Sequence, residues 1–508
     1  MNPNHDLEPA GAATPADDGR SVSARAHRGV AWAVVITGLA FPLPFLRNYL
    51  LTRIDSSSHL LGQYNLVLRF QQAVQTFFYP GGSNIFPTFY PKLKTSEERS
   101  GLIRAFLRYV LSGAALAVLV LLLFPGLLET ALDATTDSGL RIVYLLLIPF
   151  ALLSALATSA VIGHMSFVWA SIVQRTQLIL ITLSAAFTWW AASGWMRDHP
   201  LLWFGVIATV AAIITTAVSA AVLVKTFNPK ARPAIPAGCA RFSVLTWLDT
   251  VFTFAYVAID QYIINHLFGT AQLGVYAALY DIARIIPLTM QQFGHYLLAT
   301  LAALIGQDAG TAVTRGYRSV ARYSASVFAV LSIVILFFSK PLAALFGDNC
   351  AASHQYLLWL AVAMNIDSLT TVNNRALMAY ERMGHVVLSK LFQTIVQLVL
   401  TLIFVERWGI SGIIFAKAAG HGASSVVQAM AVARLPTTER LTLPTIYLVC
   451  QAIVLVSGIA AHLLVEGDWT RGLTGAMVAG GALWLGGRFT LGEIRGLIPR
   501  PRHERDTG

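Results

Sequence analysis

Charge is what this sequence has least of. Only 12% of its 508 residues are Asp, Glu, Lys or Arg, against 56% hydrophobic, where a soluble globular protein is about one quarter charged. So little charge cannot clothe a chain of this size in polar surface, which excludes a water-soluble body. Cysteine is equally sparse. Cys239, Cys350 and Cys450 stand far apart, without a C-x-x-C or a nearby histidine cluster, so neither a disulfide framework nor a metal site is indicated. No cofactor is expected. Long polar segments are missing too: the longest internal one, 225–241, is too short for a second domain. At the N-terminus, residues 1–28 are small, polar and rich in Pro and Ala, and the apolar run that begins near Val30 lacks a small-residue cleavage site. This reads as a disordered cytoplasmic tail, not a signal peptide.

What the chain has instead is long apolar blocks, such as Leu111–Phe124 and Leu201–Val224. A helix needs about 20 apolar residues to cross the hydrocarbon core. Such blocks predict an all-α membrane protein of about fourteen transmembrane helices. The expected spans are 29–52, 61–86, 105–128, 140–163, 175–195, 201–224, 242–267, 273–305, 323–346, 354–380, 389–407, 411–433, 444–465 and 471–491. They group as an N-lobe (29–224), an inter-lobe linker (225–241), a C-lobe (242–433), two further spans (444–491) and a basic tail (492–508).

The net charge of +11 would suggest nucleic acid in a soluble protein, but here it follows topology. Alternate loops hold Lys92, Lys94, Arg99, Lys225, Lys230, Arg232, Arg315, Arg382 and Arg434, while the others hold few cations and the acidic turns Glu129–Asp137 and Glu466–Asp468. By the positive-inside rule the first set is cytoplasmic, and both termini with it. For a bacterial chain that means the inner membrane. No nucleic-acid partner is expected.

The linker carries Asn228-Pro229-Lys230, Arg232-Pro233 and Ile235-Pro236, which keep it out of helix and out of lipid and make it the natural hinge. An internal repeat supports the division. Arg47-Asn-Tyr-Leu-Leu-Thr-Arg-Ile54 aligns with Asp260-Gln-Tyr-Ile-Ile-Asn-His-Leu267, and with one residue of length difference Leu61-Gly62-Gln-Tyr64 then falls on Leu273-Gly274-Val-Tyr276. In that frame Arg69 matches Asp281 and Gln72 matches Arg284. Weak symmetry between halves is common in transporters.

Polar residues inside apolar spans are the strongest functional signal, since a charge at the bilayer centre costs at least about 2.5–3.5 kcal/mol. The second span carries Asn65, Arg69, Gln72 and Thr76 on one face, and the eighth carries Asp281, Arg284, Gln291 and His295, with Pro287 to bend it. Asn365, Asp367, Asn373, Asn374 and Arg375 lie in the tenth span, Gln393 and Gln397 in the eleventh, and Lys417 and His421 in the twelfth. These faces imply a wet lumen between the lobes, with Arg47, Arg69, Arg284, Arg375 and Lys417 as its cations and Asn65, Gln72, Gln291, His295 and His421 as polar lining. Asp249, Asp260, Asp281 and Asp367 are candidates for inter-lobe pairing or ion coupling. Bland readings stand beside these. Arg47 and Arg375, near span ends, could snorkel to headgroups. Gln393 and Gln397 read best as interhelical hydrogen bonds, and His421 as a satisfied bundle residue. Pro42, Pro44, Pro80-Gly81-Gly82 and Pro287 weaken helices in the spans the repeat relates.

The segments Phe45-Leu-Arg-Asn-Tyr-Leu-Leu-Thr-Arg, Leu61-Gly-Gln-Tyr64, Trp247-Leu-Asp249, Asp260-Gln-Tyr-Ile-Ile, Leu273-Gly-Val-Tyr276 and Trp408-Gly-Ile-Ser-Gly-Ile together resemble the polysaccharide-transporter branch of the MOP superfamily, the Wzx-type flippases. The resemblance spans the chain and rests on the order and spacing of short motifs. It implies a V-shaped, two-lobe transporter that moves an undecaprenyl-diphosphate-linked oligosaccharide from the cytoplasmic to the periplasmic leaflet by alternating access. It also implies membrane lipids and polysaccharide polymerase machinery as partners. Cationic side chains in a low-dielectric cavity suit a diphosphate. The last two spans are an extension better known from lipid II flippases.

Two other classes compete. A drug or cation antiporter of the same superfamily would call for buried carboxylates in the N-lobe, where the first two spans bring Arg47 and Arg69 instead, although the C-half holds four membrane aspartates. A membrane enzyme of polysaccharide assembly would need acid–base groups beside a sizeable extramembrane pocket, and only short loops are present. The repeat also predicts that Arg47 faces Asp260, and Arg69 faces Asp281, across the lobe interface. Local pairing of Asp281 with Arg284 is the alternative.

Overall fold

Each apolar block meets its backbone hydrogen bonds internally by coiling, and among the described residues every regular element is a helix. The computed structural model describes residues 42–79, 85–86, 89–90, 93, 95–133, 137–164, 167–191, 194, 198–224, 227–287, 313–314, 317–318, 321, 331–380 and 382–435, with 456, 477 and 481 singly. The expected N-terminal tail, the basic tail and all but three positions of 444–491 lie outside them, as do Gln291 and His295.

Among the described residues the N-lobe begins with α1 (Leu43–Ile54), with Pro42 and Pro44 at its first turn, which needs no amide donor. It continues with α2 (His59–Phe78), α3 (Ser96–Leu123), the short α4 (Gly126–Leu132), α5 (Ser138–Gly163), α6 (Phe167–Ala191) and α7 (Pro200–Leu223). The C-lobe has α8 (Cys239–Phe268), α9 (Thr270–Ala283), two short helices α10 (Ser339–Ala344) and α11 (Asp348–Ala352), then α12 (His354–Ala379) and α13 (Met383–Val432). Of these, α3, α5, α7, α8 and α13 are long and apolar enough to cross a membrane.

Several ends differ from the expected ones for local reasons. Helix α3 starts at Ser96 and not at 105, because Thr95 and Glu98 form a reciprocal capping box that carries two polar turns. Helix α6 starts at Phe167 and not at 175, so Gln174, Arg175 and Gln177 lie inside it. Helix α9 breaks after Ala283 with a turn at Arg284, and residues 285–287 are helical again, the interruption falling where the ring of Pro287 would meet the Ala283 carbonyl in a continuous helix. The expected eleventh and twelfth spans are two helices, the two arms of α13, which fold back on each other at Gly409 (φ 57°) so that Gly420 backs onto Gln393.

The linker is less free than its prolines suggest. Ser100 Oγ accepts from the Asn228 amide at 2.8 Å, Arg104 donates to the carbonyls of Pro229 and Ala231, and the Ala234 amide donates to Gly101 O at 3.2 Å. Residues 228–234 are thereby strapped to the start of α3, leaving the short stretch up to Gly238 (φ 77°) before α8.

The lobes meet where α2 packs on α9 and α8, and α1 on α9. In the repeat frame Ser58 falls on Thr270 and Gly62 on Gly274. A Cβ on Gly62 would lie 2.1 Å from Thr270 O, and one on Gly274 would lie 1.9 Å from Ser58 O. Each glycine thus meets the other lobe's counterpart of the residue four positions before it. This reciprocity is the mark of an approximate two-fold axis, and only glycine permits the approach.

Candidate functional site

Away from that crossing, toward the C-terminal ends of α2 and α5 and the N-terminal halves of α6 and α8, the helices part around a cavity of about 480 Å³. Arg69 and Arg284 line it, with five glutamines, five threonines and two serines, and none of its lining residues is acidic. Gln71 and Gln177 exchange amide hydrogen bonds across it (2.8 and 3.3 Å), and Gln75 donates to Ala151 O at 3.2 Å. Arg69 Nε donates to Gln261 Oε1 (2.7 Å) on the opposite lobe, and its Nη1 to Gln72 Oε1 (2.5 Å). Arg284 lies within electrostatic range of both Arg69 and Arg175, and Arg175 Nε is buried without a hydrogen-bond partner. The wall itself carries no carboxylate, Asp260 and Asp281 acting on Arg69 from behind it, and the flat forks of the guanidiniums suit phosphate oxygens.

Arg175 and most of the glutamines were not singled out by sequence. Placing Arg175 at a span's first residue makes it a boundary charge. The pattern Gln174-Arg-x-Gln177 beside Gln71-Gln72-x-x-Gln75 was the available signal, because both put amides on one helical face.

The remaining predicted cations lie elsewhere. Arg47 Nη2 pairs with Asp281 Oδ2 at 2.6 Å, and Asn48 Nδ2 donates to the same oxygen at 3.2 Å. Its Nη1 donates to Tyr64 OH at 3.1 Å, with the guanidinium 4.6 Å from that ring's centre. An inter-lobe pair therefore exists, but the partner expected from the repeat is corrected from Asp260 to Asp281. The cause is that Asp260 is engaged inside its own lobe: it accepts from Tyr276 OH and from Lys417 Nζ at 2.7 Å, both charges being fully buried. Tyr276 is the repeat counterpart of Tyr64. The symmetry thus maps an intralobe contact onto an intralobe contact. Arg69 lies within electrostatic range of Asp281 but bonds Gln261 and Gln72 and forms no ion pair with it, and neither Asp281 nor Arg284 adopts the local pair.

Lys417 and Arg375 are not on the cavity wall. Lys417 is sealed behind Asp260 and sits 5.0 Å over the Tyr280 ring, while Arg375 reaches Met378 Sδ at 3.7 Å. Asn65 turns back on its own helix, donating to Leu61 O at 2.8 Å. His421 Nδ1 pairs with Asp367 Oδ1 at 2.9 Å in the C-lobe interior. Asp249 leaves Oδ1 buried and without a hydrogen bond, in the field of Lys390 and Arg375. Of the residues expected to line the lumen, Arg69, Gln72 and Arg284 do so among those described.

The fold is shared with known transporters. The lipid II flippase MurJ, in an inward closed conformation, superposes with a TM-score of 0.64 at 13% identity, over 92% of this chain and 99% of that one. A multidrug resistance MATE transporter of the MOP superfamily, facing inward, gives 0.60 at 13% identity, over 78% and 97%. A MOP superfamily transporter from Pyrococcus furiosus, described as having a binding pocket of reversed polarity, gives 0.61 at 12% identity, over 80% and 94%. No curated protein matches in sequence. The family description "Polysaccharide biosynthesis protein" matches residues 26–294, more than half of the chain. With that match, and with the two-lobe all-helical architecture of the MOP superfamily, the chain belongs to the polysaccharide biosynthesis protein family of membrane proteins.

Proposed function

We propose that this protein is a flippase for an undecaprenyl-diphosphate-linked oligosaccharide, carrying the repeat unit of an exopolysaccharide, capsule or O-antigen across the bacterial inner membrane. The observation that carries this reading is the composition of the cavity wall. Two arginines, with a third nearby and no acidic lining residue, offer a site for a diphosphate. Glutamine, threonine and serine offer hydrogen bonds to sugar hydroxyls, while the polyprenyl tail stays in lipid. Moving such a head group needs sorting by polarity and no bond chemistry, so the protein acts as a transporter and not as an enzyme. Polysaccharide polymerase machinery would take the product on the far side.

Loops rich in Lys and Arg mark the cavity end of the helices as cytoplasmic, with both termini on that side. The glycine crossing then closes the periplasmic end, and the cavity faces the leaflet where the cargo is made. Alternating access follows if the crossing parts while the cavity end shuts. A cation antiporter of the same superfamily is favoured by one feature, the buried aspartates of the C-lobe, but its cargo would meet arginines in this cavity.

Proteoliposomes containing a fluorescent polyprenyl-diphosphate oligosaccharide test the proposal. The intact protein should move the lipid between leaflets and should not expel cationic dyes. Arg69→Ala and Arg284→Ala should each lower the flipping rate at least about tenfold, the loss of roughly 1.4 kcal/mol, while the protein stays monodisperse. Near-normal flipping in both variants, or dye export without flipping, would overturn it.

A further inference from the structure

Behind the cavity wall, the C-lobe buries a cluster that cargo binding does not use. His421, fully buried on α13, has Nδ1 2.9 Å from Asp367 Oδ1 on α12 and 2.8 Å from Gln393 Nε2. Lys390 Nζ, a donor only, reaches Gln393 Oε1 at 3.1 Å, which turns the amide's NH₂ toward the imidazole. One ring nitrogen therefore faces a donor and a carboxylate at once. It can carry a hydrogen or a free lone pair, never both. With hydrogen on Nδ1 the carboxylate is satisfied and the amide confronts N–H. With a lone pair there, the amide is satisfied and Asp367 needs a proton of its own. On the other side of the ring, Nε2 is buried without a partner. No protonation state meets every group, and the states differ by where one proton sits.

The surroundings make that proton count. Tyr256 of α8 lies edge-on to the His421 ring at 5.6 Å. Lys417 faces it from its own arm of α13 and Lys390 from the other arm, with Asp260 of α8 and Tyr280 of α9 behind Lys417. Asp249 of α8 and Arg375 of α12 complete the set. Three cations (Lys390, Lys417, Arg375) then balance three aspartates (Asp249, Asp260, Asp367) when His421 is neutral. An added proton leaves one uncompensated charge in a buried site, which is costly there and cheap where water enters. Helix α12 packs on α9, and α13 on α8, and α8 and α9 are the C-lobe's face toward the N-lobe.

We infer that His421 and Asp367 form a proton-binding site that couples one proton to the rearrangement of the lobes. One proton enters from the aqueous phase on one side, resides on the pair, and leaves to the other side, with no other bond made or broken. The inference extends the flippase reading by naming its coupling ion, and it is testable without cargo.

The test uses the full chain in lipid nanodiscs, with Cys239, Cys350 and Cys450 replaced by Ala and spin labels on Glu97→Cys and His385→Cys, two exposed positions on opposite lobes. Pulsed electron resonance between pH 5 and 8 should show the inter-lobe distance distribution shifting with one midpoint. His421→Gln and Asp367→Asn should abolish the shift. Asp367→Glu, which keeps the carboxylate on a longer arm, should retain it with the midpoint moved by about one pH unit, tenfold in proton affinity. His199→Gln, in a distant loop, should leave it intact. Absence of the shift in the parent chain, or its persistence unchanged in His421→Gln or in Asp367→Asn, would overturn the inference. Should either variant misfold, an unchanged midpoint in Asp367→Glu would do the same. Flipping without any pH response would sink the proton site alone, whereas a pH response without flipping would sink the flippase reading and leave the site standing.

Discussion

In the N-lobe, Arg47 bonds Tyr64, and in the C-lobe its counterpart Asp260 bonds Tyr276, the counterpart of Tyr64. The same geometry has opposite charge, and what surrounds it differs in kind. The N-lobe turns Arg69 toward a cavity whose wall carries no acid, with Arg175 nearby, and Arg284 joins them from α9's end. The C-lobe closes Lys417 onto Asp260 and His421 onto Asp367, away from the cavity. Duplicated scaffolds can thus divide labour. Unmatched charge waits for an external partner, and matched charge is held for internal rearrangement.

The largest expected effect tests the sealed side of that contrast. Asp260→Asn leaves Lys417 buried and unpaired and should cost about 3–5 kcal/mol of stability, read as a lower SDS-unfolding midpoint. The double change Asp260→Leu with Lys417→Met should restore most of it, because no charge then remains to be solvated. Arg69→Met, at a buried group that lines the cavity and bonds two neutral amides, should cost less, about 1–3 kcal/mol. Equal costs at the two positions would erase the distinction between the lobes.

Next in size is the crossing they share. Gly274→Leu drives a side chain into the Ser58 carbonyl, and overpacking of this kind costs about 1–3 kcal/mol. That is comparable to the gap between transport states, so the lobes should stay parted at this end. Crosslinking between cysteines at Ser57 and Thr270 should be lost in the variant and kept in the parent. Gly62→Leu should behave alike, as reciprocity demands.

The inter-lobe pair comes third. Arg47→Asp and Asp281→Arg should each reduce flipping, and the swap should recover part of it, with a coupling of about 0.5–3 kcal/mol in a double-mutant cycle. Arg47→Asp with Asp260→Arg should recover nothing, since those residues bond within different lobes.

Much of this was legible in the sequence, at the level where physics is additive. The bilayer demands long apolar helices, so fold class followed from composition. The Gly-x-Tyr repeat disclosed the two-fold relation, because only glycine serves at the crossing. Which charge meets which was not legible. The repeat relates equivalent positions, whereas a two-fold contact joins a residue to whatever lies across the axis, and Asp260 had a partner, Lys417, about 157 residues away in sequence. Arg175 escaped for another reason: a cation at a hydropathy boundary reads as snorkelling until the helix is seen to start at Phe167.

The smallest prediction sets the two tyrosines against each other. Tyr64→Phe removes one hydrogen bond from Arg47, which keeps Asp281, Asn48 and the face of the ring, and cation–π attraction survives loss of the hydroxyl. The cost should be that of an ordinary hydrogen bond, about 0.5–1.5 kcal/mol. Tyr276→Phe takes a donor from a carboxylate that is wholly buried and has, among the described residues, Lys417 as its one other side-chain donor beyond its own helix. Hydrogen bonds to charged groups contribute about 1.5–3 kcal/mol, and full burial keeps Asp260 from exchanging this one for solvent. The C-lobe variant should therefore unfold at lower SDS concentration than its N-lobe twin, by roughly 1 kcal/mol. The reverse order would mean that Asp260 is better solvated than its burial implies, and would place water inside the C-lobe cluster.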